Sequence, residues 1–243
     1  MRPAVALILF SAAGLLGGCG RAPGYPPNPM PRPSEVTDFS TLYKENCAAC
    51  HGVNGQDGPA TDLANPEYQG LADDATLRKW ISGGMPGTEM PAFAQTAGGM
   101  LTDAQVDALI AGMRREWKRP DAFGAAAPPA YAQSEAGDAQ RGKASYEAHC
   151  AGCHAAKHQQ LTDRNYLALV SDQALRTVTI AGRPDIGQPD WRHDSPDGKA
   201  TTPLTAQEVD DIVSYLSSVR GGAAESAAHA TPGAGAAGAK RER

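Results

Sequence analysis

Cys47-Ala48-Ala49-Cys50-His51 and Cys150-Ala151-Gly152-Cys153-His154 are two copies of one pattern, CxxCH. In each copy, two thiols three residues apart can add to the two vinyl groups of one haem and hold it by thioether bonds. The histidine that follows is placed to give its imidazole nitrogen to the iron from the same side. A zinc knuckle or a thioredoxin-like CxxC are the competing readings. Zinc needs four ligands from one cluster, and a redox disulfide does not call for a trailing histidine. Two complete copies, each opening a similar stretch of chain, favour two covalently attached haem c groups, on Cys47 and Cys50 and on Cys150 and Cys153. His51 and His154 are then the proximal iron ligands.

The two stretches form an internal repeat. Tyr43 stands four residues before Cys47, as Tyr146 does before Cys150. Ile81-Ser82-Gly83 answers to Ile180-Ala181-Gly182, Met90-Pro91-Ala92-Phe93 to Gln188-Pro189-Asp190-Trp191, and Thr102 with Val106 to Thr205 with Val209. Apolar periodicity makes both copies helical. The first has helices over Phe39 to Cys47, Ala75 to Ile81 and Asp103 to Trp117; the second over Ala139 to Cys150, Asp172 to Ile180 and Ala206 to Val219. The last helix of each opens on a capping box, Thr102-Asp103-Ala104-Gln105 and Thr205-Ala206-Gln207-Glu208. Its apolar positions (Val106, Leu109, Ile110 and Met113; Val209, Ile212, Val213 and Leu216) share one face. No segment alternates well enough to make a sheet.

Both copies resemble class I cytochrome c domains, in which N- and C-terminal helices cross and enclose one haem edge. The resemblance covers about residues 36–119 and 137–220 and implies an all-α fold of two tandem domains. Gly112, standing where the second copy has Tyr215, implies a looser helix crossing in the first. In such domains a methionine from the loop after the middle helix binds the iron opposite the histidine. Gly87-Thr88-Glu89-Met90-Pro91 resembles that loop, which makes Met90 the candidate ligand. Met85, also before a proline, is its rival, and Met100 is expected in the core. The second copy has no methionine and puts Gln188 at the equivalent place. Its sixth ligand is therefore open between His193, a weakly bound Gln188 or an empty position, and His158. Losing a soft thioether should lower the second potential relative to the first.

Four of the five cysteines belong to the haem motifs, leaving Cys19. The chain before it has Arg2, an apolar run from Ala4 to Leu16, then Leu16-Gly17-Gly18-Cys19, too short to span a bilayer and suited to a signal peptide. It resembles a bacterial lipoprotein signal over residues 1–18, which implies cleavage before Cys19 and lipidation of that residue. Several acyl chains anchor firmly, at roughly 0.8 kcal/mol per buried methylene. Residues 19–35 form a Pro-rich spacer, 120–136 a linker, and 221–243 an Ala/Gly-rich tail expected to be disordered.

Overall charge is −5, and the first haem segment is the more acidic, with 7 basic against 12 acidic side chains over residues 35–119. No basic stripe with interleaved aromatics points to nucleic acid. The expected function is electron transfer between redox protein partners outside the cytoplasm, from a lipid anchor, as a free carrier or as a subunit of a respiratory or photosynthetic complex. The alternative is an enzyme or gas sensor that uses an open second haem.

Overall fold

The computed structural model describes residues 30–155, 160–192 and 202–228. Residues 1–36 and 37–243 form separate units. The described part of the first holds one 3-10 turn, Pro33–Glu35, closed by the Glu35 carboxylate on the Arg32 N–H at 2.9 Å. Cys19 lies outside the described residues, as do His158 and His193.

The second unit contains two similar helical halves. In the first, α1 (Phe39–Asn46), α2 (Ala48–His51), α3 (Pro66–Leu71), α4 (Asp74–Gly83) and α5 (Asp103–Trp117) follow one another. The second repeats them as α6 (Ala139–His149), α7 (Ala151–His154), α8 (Arg164–Leu169), α9 (Asp172–Ala181) and α10 (Ala206–Ala228). Among the described residues there is no strand, only the isolated bridges Ala94–Leu101 and Arg183–Gln188. None of their helices is long and apolar enough to cross a membrane.

The closing helices start where their capping boxes place them. Thr102 and Gln105 exchange bonds of 3.0 and 3.3 Å, and Thr205 and Glu208 bonds of 2.8 and 3.2 Å. All eight residues of the two apolar faces are buried. One arginine on each helix ties down the segment between the two preceding helices. Arg114 donates to the carbonyls of Gln69 and Ala72 and pairs with Asp74; Arg220 donates to Leu167 and Val170 and pairs with Asp172. The two arginines stand one turn apart in the repeat yet make the same attachment.

Three expectations change. Met100, expected in the core, is 80% exposed. Helix α10 runs past Arg220 to Ala228, into the stretch expected to be disordered. The repeat pairing shifts by one residue at the glycine that ends the middle helix, because Gly84, not Gly83, matches Gly182, while Ile81 and Ile180 still correspond, accepting from the Phe93 and Trp191 N–H groups. Each closes its helix on a carbonyl four residues back, Trp80 or Val178, with φ near +70° (69° and 70°). A side chain there is disfavoured, and its Cβ would lie 2.7–2.8 Å from the returning loop.

The helix crossing is wider in the first half, as Gly112 implied, and an aromatic ring fills the gap. α6 and α10 meet far more extensively than α1 and α5. At the second crossing Gly142 lies against the backbone of α10, where an added Cβ would sit 1.8 Å from the Asp211 carbonyl. At the first, Phe39 takes the place of Gly142 in the repeat and covers Gly112, whose added Cβ would meet the ring at 2.1 Å. Large and small have changed sides. Phe39 also packs on Tyr43 and Trp117, with centroids 5.7 and 5.6 Å away.

Gly142→Ala should therefore destabilise the protein by about 1–3 kcal/mol, since neither backbone can yield. Urea unfolding followed by helical circular dichroism measures it, with Gly83→Ala, a site with open space around it, as the contrast.

Candidate haem centres

The two CxxCH segments share one backbone frame. The Cys47 N–H bonds the Tyr43 carbonyl at 2.8 Å, and the Cys50 and His51 N–H groups bond Cys47 O at 3.2 and 3.0 Å. The matching distances at Cys150, Cys153 and His154 are 2.9, 3.2 and 2.9 Å. One helical turn thus carries each pair of thiols and its histidine. Burial pushes the Cys47 thiol up to about 12. Among the described residues no three His, Cys, Asp or Glu side chains converge on a common metal position.

His51 is oriented by its own domain. Its Nδ1 lies 2.7 Å from the Thr61 carbonyl, a contact that needs Nδ1 protonated and leaves Nε2 as the free donor atom. Burial pushes its pKa below the ordinary histidine value, the direction that favours the neutral ring an iron ligand needs. The side chains present fit a thioether-bound haem with a proximal imidazole.

The loops after α4 and α9 have the same closure. Met85 N–H donates to the Met90 carbonyl at 3.1 Å, and Arg183 N–H to the Gln188 carbonyl at 2.9 Å. Gln188 therefore occupies the backbone position of Met90. Its Nε2 donates to Val178 O at 3.3 Å, which turns that end of the amide back onto α9. Met90 is half-buried. Met85 is engaged elsewhere, since its sulfur accepts the Ser171 hydroxyl of the second half at 3.5 Å.

What the sequence did not show is that the loop after α9 rests on the first cytochrome c half. Asn65, buried at the start of α3, accepts the N–H groups of Glu67 and Tyr68 on its Oδ1. Its Nδ2 donates to the carbonyls of Ala181 and Gly182 at 2.9 and 3.3 Å. Arg183 reaches back to Ala60 O and Gly58 O, both at 3.1 Å, and pairs with Asp185 at 2.6 Å. Asp185 also accepts the Asp57 N–H at 3.2 Å. Arg192 pairs with Glu67 at 3.0 Å and with Asp190 at 2.6 Å. Asn65-Pro66-Glu67 is a readable helix start, with cap, proline and acid in order. Nothing local marks Asn65 as a contact between domains.

The linker is strapped down as well. Arg176, buried and paired with buried Asp210, donates to Ala130 O at 2.8 Å and Tyr131 O at 3.2 Å. Tyr131 accepts the Trp80 indole N–H at 2.8 Å. Phe123 meets Trp191 edge-on at 5.6 Å.

The cytochrome c family matches this chain over residues 36–115 and again over 139–220. The chain belongs to that family, as an electron-transfer cytochrome with two covalently bound haem c groups. It is 34% identical over 107 residues to a dihydro-heme d1 dehydrogenase of Pseudomonas aeruginosa, which spans 44% of this chain and 18% of the relative. It is 31% identical over 130 residues to a Cbb3-type cytochrome c oxidase subunit CcoP of Azospirillum sp., 47% of this chain and 37% of the relative. The chain thus spans well under half the length of either curated relative.

The Arg183 guanidinium holds the Asp185 carboxyl below its ordinary range. A lowered carboxylate pKa stabilises the fold above the unfolded value, about 3.9, and that contribution is lost as pH falls through the folded value. Asp62, buried beside them, is raised instead, first by burial and then by Asp185, so its protonation opposes the loss. Asp185→Asn should lower the urea midpoint at neutral pH and flatten its fall on acidification below about pH 5. Unfolding curves at stepped pH measure both.

Proposed function

We propose that this protein is a lipid-anchored dihaem cytochrome that relays electrons between protein partners outside the cytoplasm. Cys47 and Cys50 hold the first haem and Cys150 and Cys153 the second, with His51 and His154 as proximal ligands. Bound haem supplies a one-electron couple whose potential follows its axial ligands and surroundings. The observation that carries this reading is the seating of the second ligand loop on the first haem domain within one compact unit. Two irons in separately tumbling domains would meet only by collision; here both ligand frames are tied to one scaffold.

Met90 is the sixth ligand of the first haem in this reading. Met85 is tied by its sulfur to Ser171, which supports Met90 against its rival. Gln188, held by the equivalent loop, presents a hard amide at the second iron unless His193 displaces it, so the second potential is the lower of the two. An enzyme acting on peroxide or a gas at the second haem is the weaker reading. The arginines of its ligand loop are already committed, Arg183 to Asp185 and two carbonyls and Arg192 to Asp190 and Glu67. A polarising role for either would require breaking those contacts. The named dehydrogenase relative leaves that reading a test to pass.

Met90→Ala should abolish the methionine–iron absorption of the oxidised protein and lower the first potential, while Met85→Ala keeps both. Spectra and a redox titration of the haem-loaded protein decide this. In the wild type, carbon monoxide should bind at most one haem, the second. Two redox waves and no peroxide turnover support the relay; turnover at the second haem would sink it. Separately, Cys19→Ser should move the protein from the membrane to the soluble fraction without changing its haem content, as fractionation and a pyridine haemochrome assay report.

A further inference from the structure

The segment from Asp57 to Glu67 stands between the two halves. Through Thr61 O it orients the first proximal histidine. Through Asp57, Gly58, Ala60, Asn65 and Glu67 it grips the second ligand loop. All but the Asp57 contact, which reaches Asp185 within the turn Pro184–Ile186, fall at the two ends of that loop. Ala181 and Gly182 form its entry, where the positive φ of Gly182 turns the chain off α9, and Arg183 comes next. Arg192 forms its exit, where the guanidinium lies 4.8 Å from the Trp191 ring and between Asp190 and Glu67. Gln188 lies between the two clamped ends. Among the described residues its side chain makes one hydrogen bond, 3.3 Å to the Val178 carbonyl.

We propose that the first domain sets the coordination state of the second haem: Asn65 and Glu67, which belong to neither haem's ligand set, are positioning residues for the Gln188 loop. The inference rests on the reading of residues 182–191 as the second sixth-ligand loop. A loop pinned at entry and exit has few alternative positions. The ligand it offers, or keeps from reaching the iron, is therefore chosen by contacts in another domain. Among the described residues, the first half has no such clamp on its own ligand loop from the second, apart from the Ser171 hydroxyl on Met85. The two irons are thus held unequally even where their local backbones match.

The test uses the full haem-loaded chain. Asn65→Ser keeps an oxygen to cap α3 but is too short to reach Ala181 and Gly182. Glu67→Lys sets a positive charge against Arg192 at a partly exposed site. Each should raise the carbon monoxide affinity of the reduced second haem tenfold or more, with the methionine–iron band of the first haem unchanged. That unchanged band shows that domain 1 is intact. Glu67→Gln, which still offers Arg192 an acceptor, should fall between wild type and Glu67→Lys. If both Asn65→Ser and Glu67→Lys bind carbon monoxide with wild-type affinity, the proposal is overturned. Gln188→Ala and His193→Ala separate this from failure of the underlying reading. If neither alters the second haem's spectrum, the loop supplies no ligand and the proposal falls with it; if one does while the clamp variants are silent, only the clamp is wrong.

Discussion

Each half must close fewer than a hundred residues around a flat group larger than any side chain, and that constraint governs the rest of the molecule. So small a domain buries too little of its own surface to spare an interior for a ligand, and the attachment turn and the crossed helices have to enclose the group together. The attachment turn is continuous with α1 or α6, so the thiols and the proximal histidine move with the helix that forms one side of the crossing. The last helix forms the other side. Between them Arg114 and Arg220 fasten the intervening segments by backbone carbonyls, contacts insensitive to which side chains those segments carry.

The two crossings meet this constraint by opposite distributions of bulk. Gly142 brings two backbones together and leaves Tyr215 to pack on Tyr146, 5.4 Å between centroids. Phe39 holds α1 and α5 apart and fills the space with an aromatic cluster that includes Trp117. Close packing is preserved because the exchange is reciprocal. Either change alone would leave a void or a clash.

The two halves are unequal in what surrounds the loops after α4 and α9. The first loop, from Met85 to Met90, is closed by its own bonds, including the Thr88 hydroxyl to the Met85 carbonyl at 2.7 Å. The second is closed by its own backbone and also buttressed from another domain, with buried Asn65 and the Arg183–Asp185 pair at the contact. A buried amide with all its partners satisfied is costly to disturb. Arg176 adds to this by binding the linker to α9, so the connection between halves is part of the scaffold rather than a tether.

The sequence alone determined that the chain carries two haem attachment turns, that both halves are helical, and where the closing helices begin and which faces they bury. Those properties depend on residues within a few positions of each other: a CxxCH turn, a capping box, an apolar period of 3.6. It also pointed to Met90 and Gln188 as equivalents, because the proline and aromatic that follow them are local too. It missed α3 and α8, placed Met100 in the core, and ended α10 early. Tertiary structure decided the one-residue register at Gly84 and the exchange of Phe39 for Gly142. It also decided the committed contacts of Arg183, Arg192 and Met85, and the grip of Asn65 on the loop after α9. Each of these joins residues far apart in the chain. Such pairings leave no periodicity to read, because burial and hydrogen-bond satisfaction are set only when two distant surfaces meet.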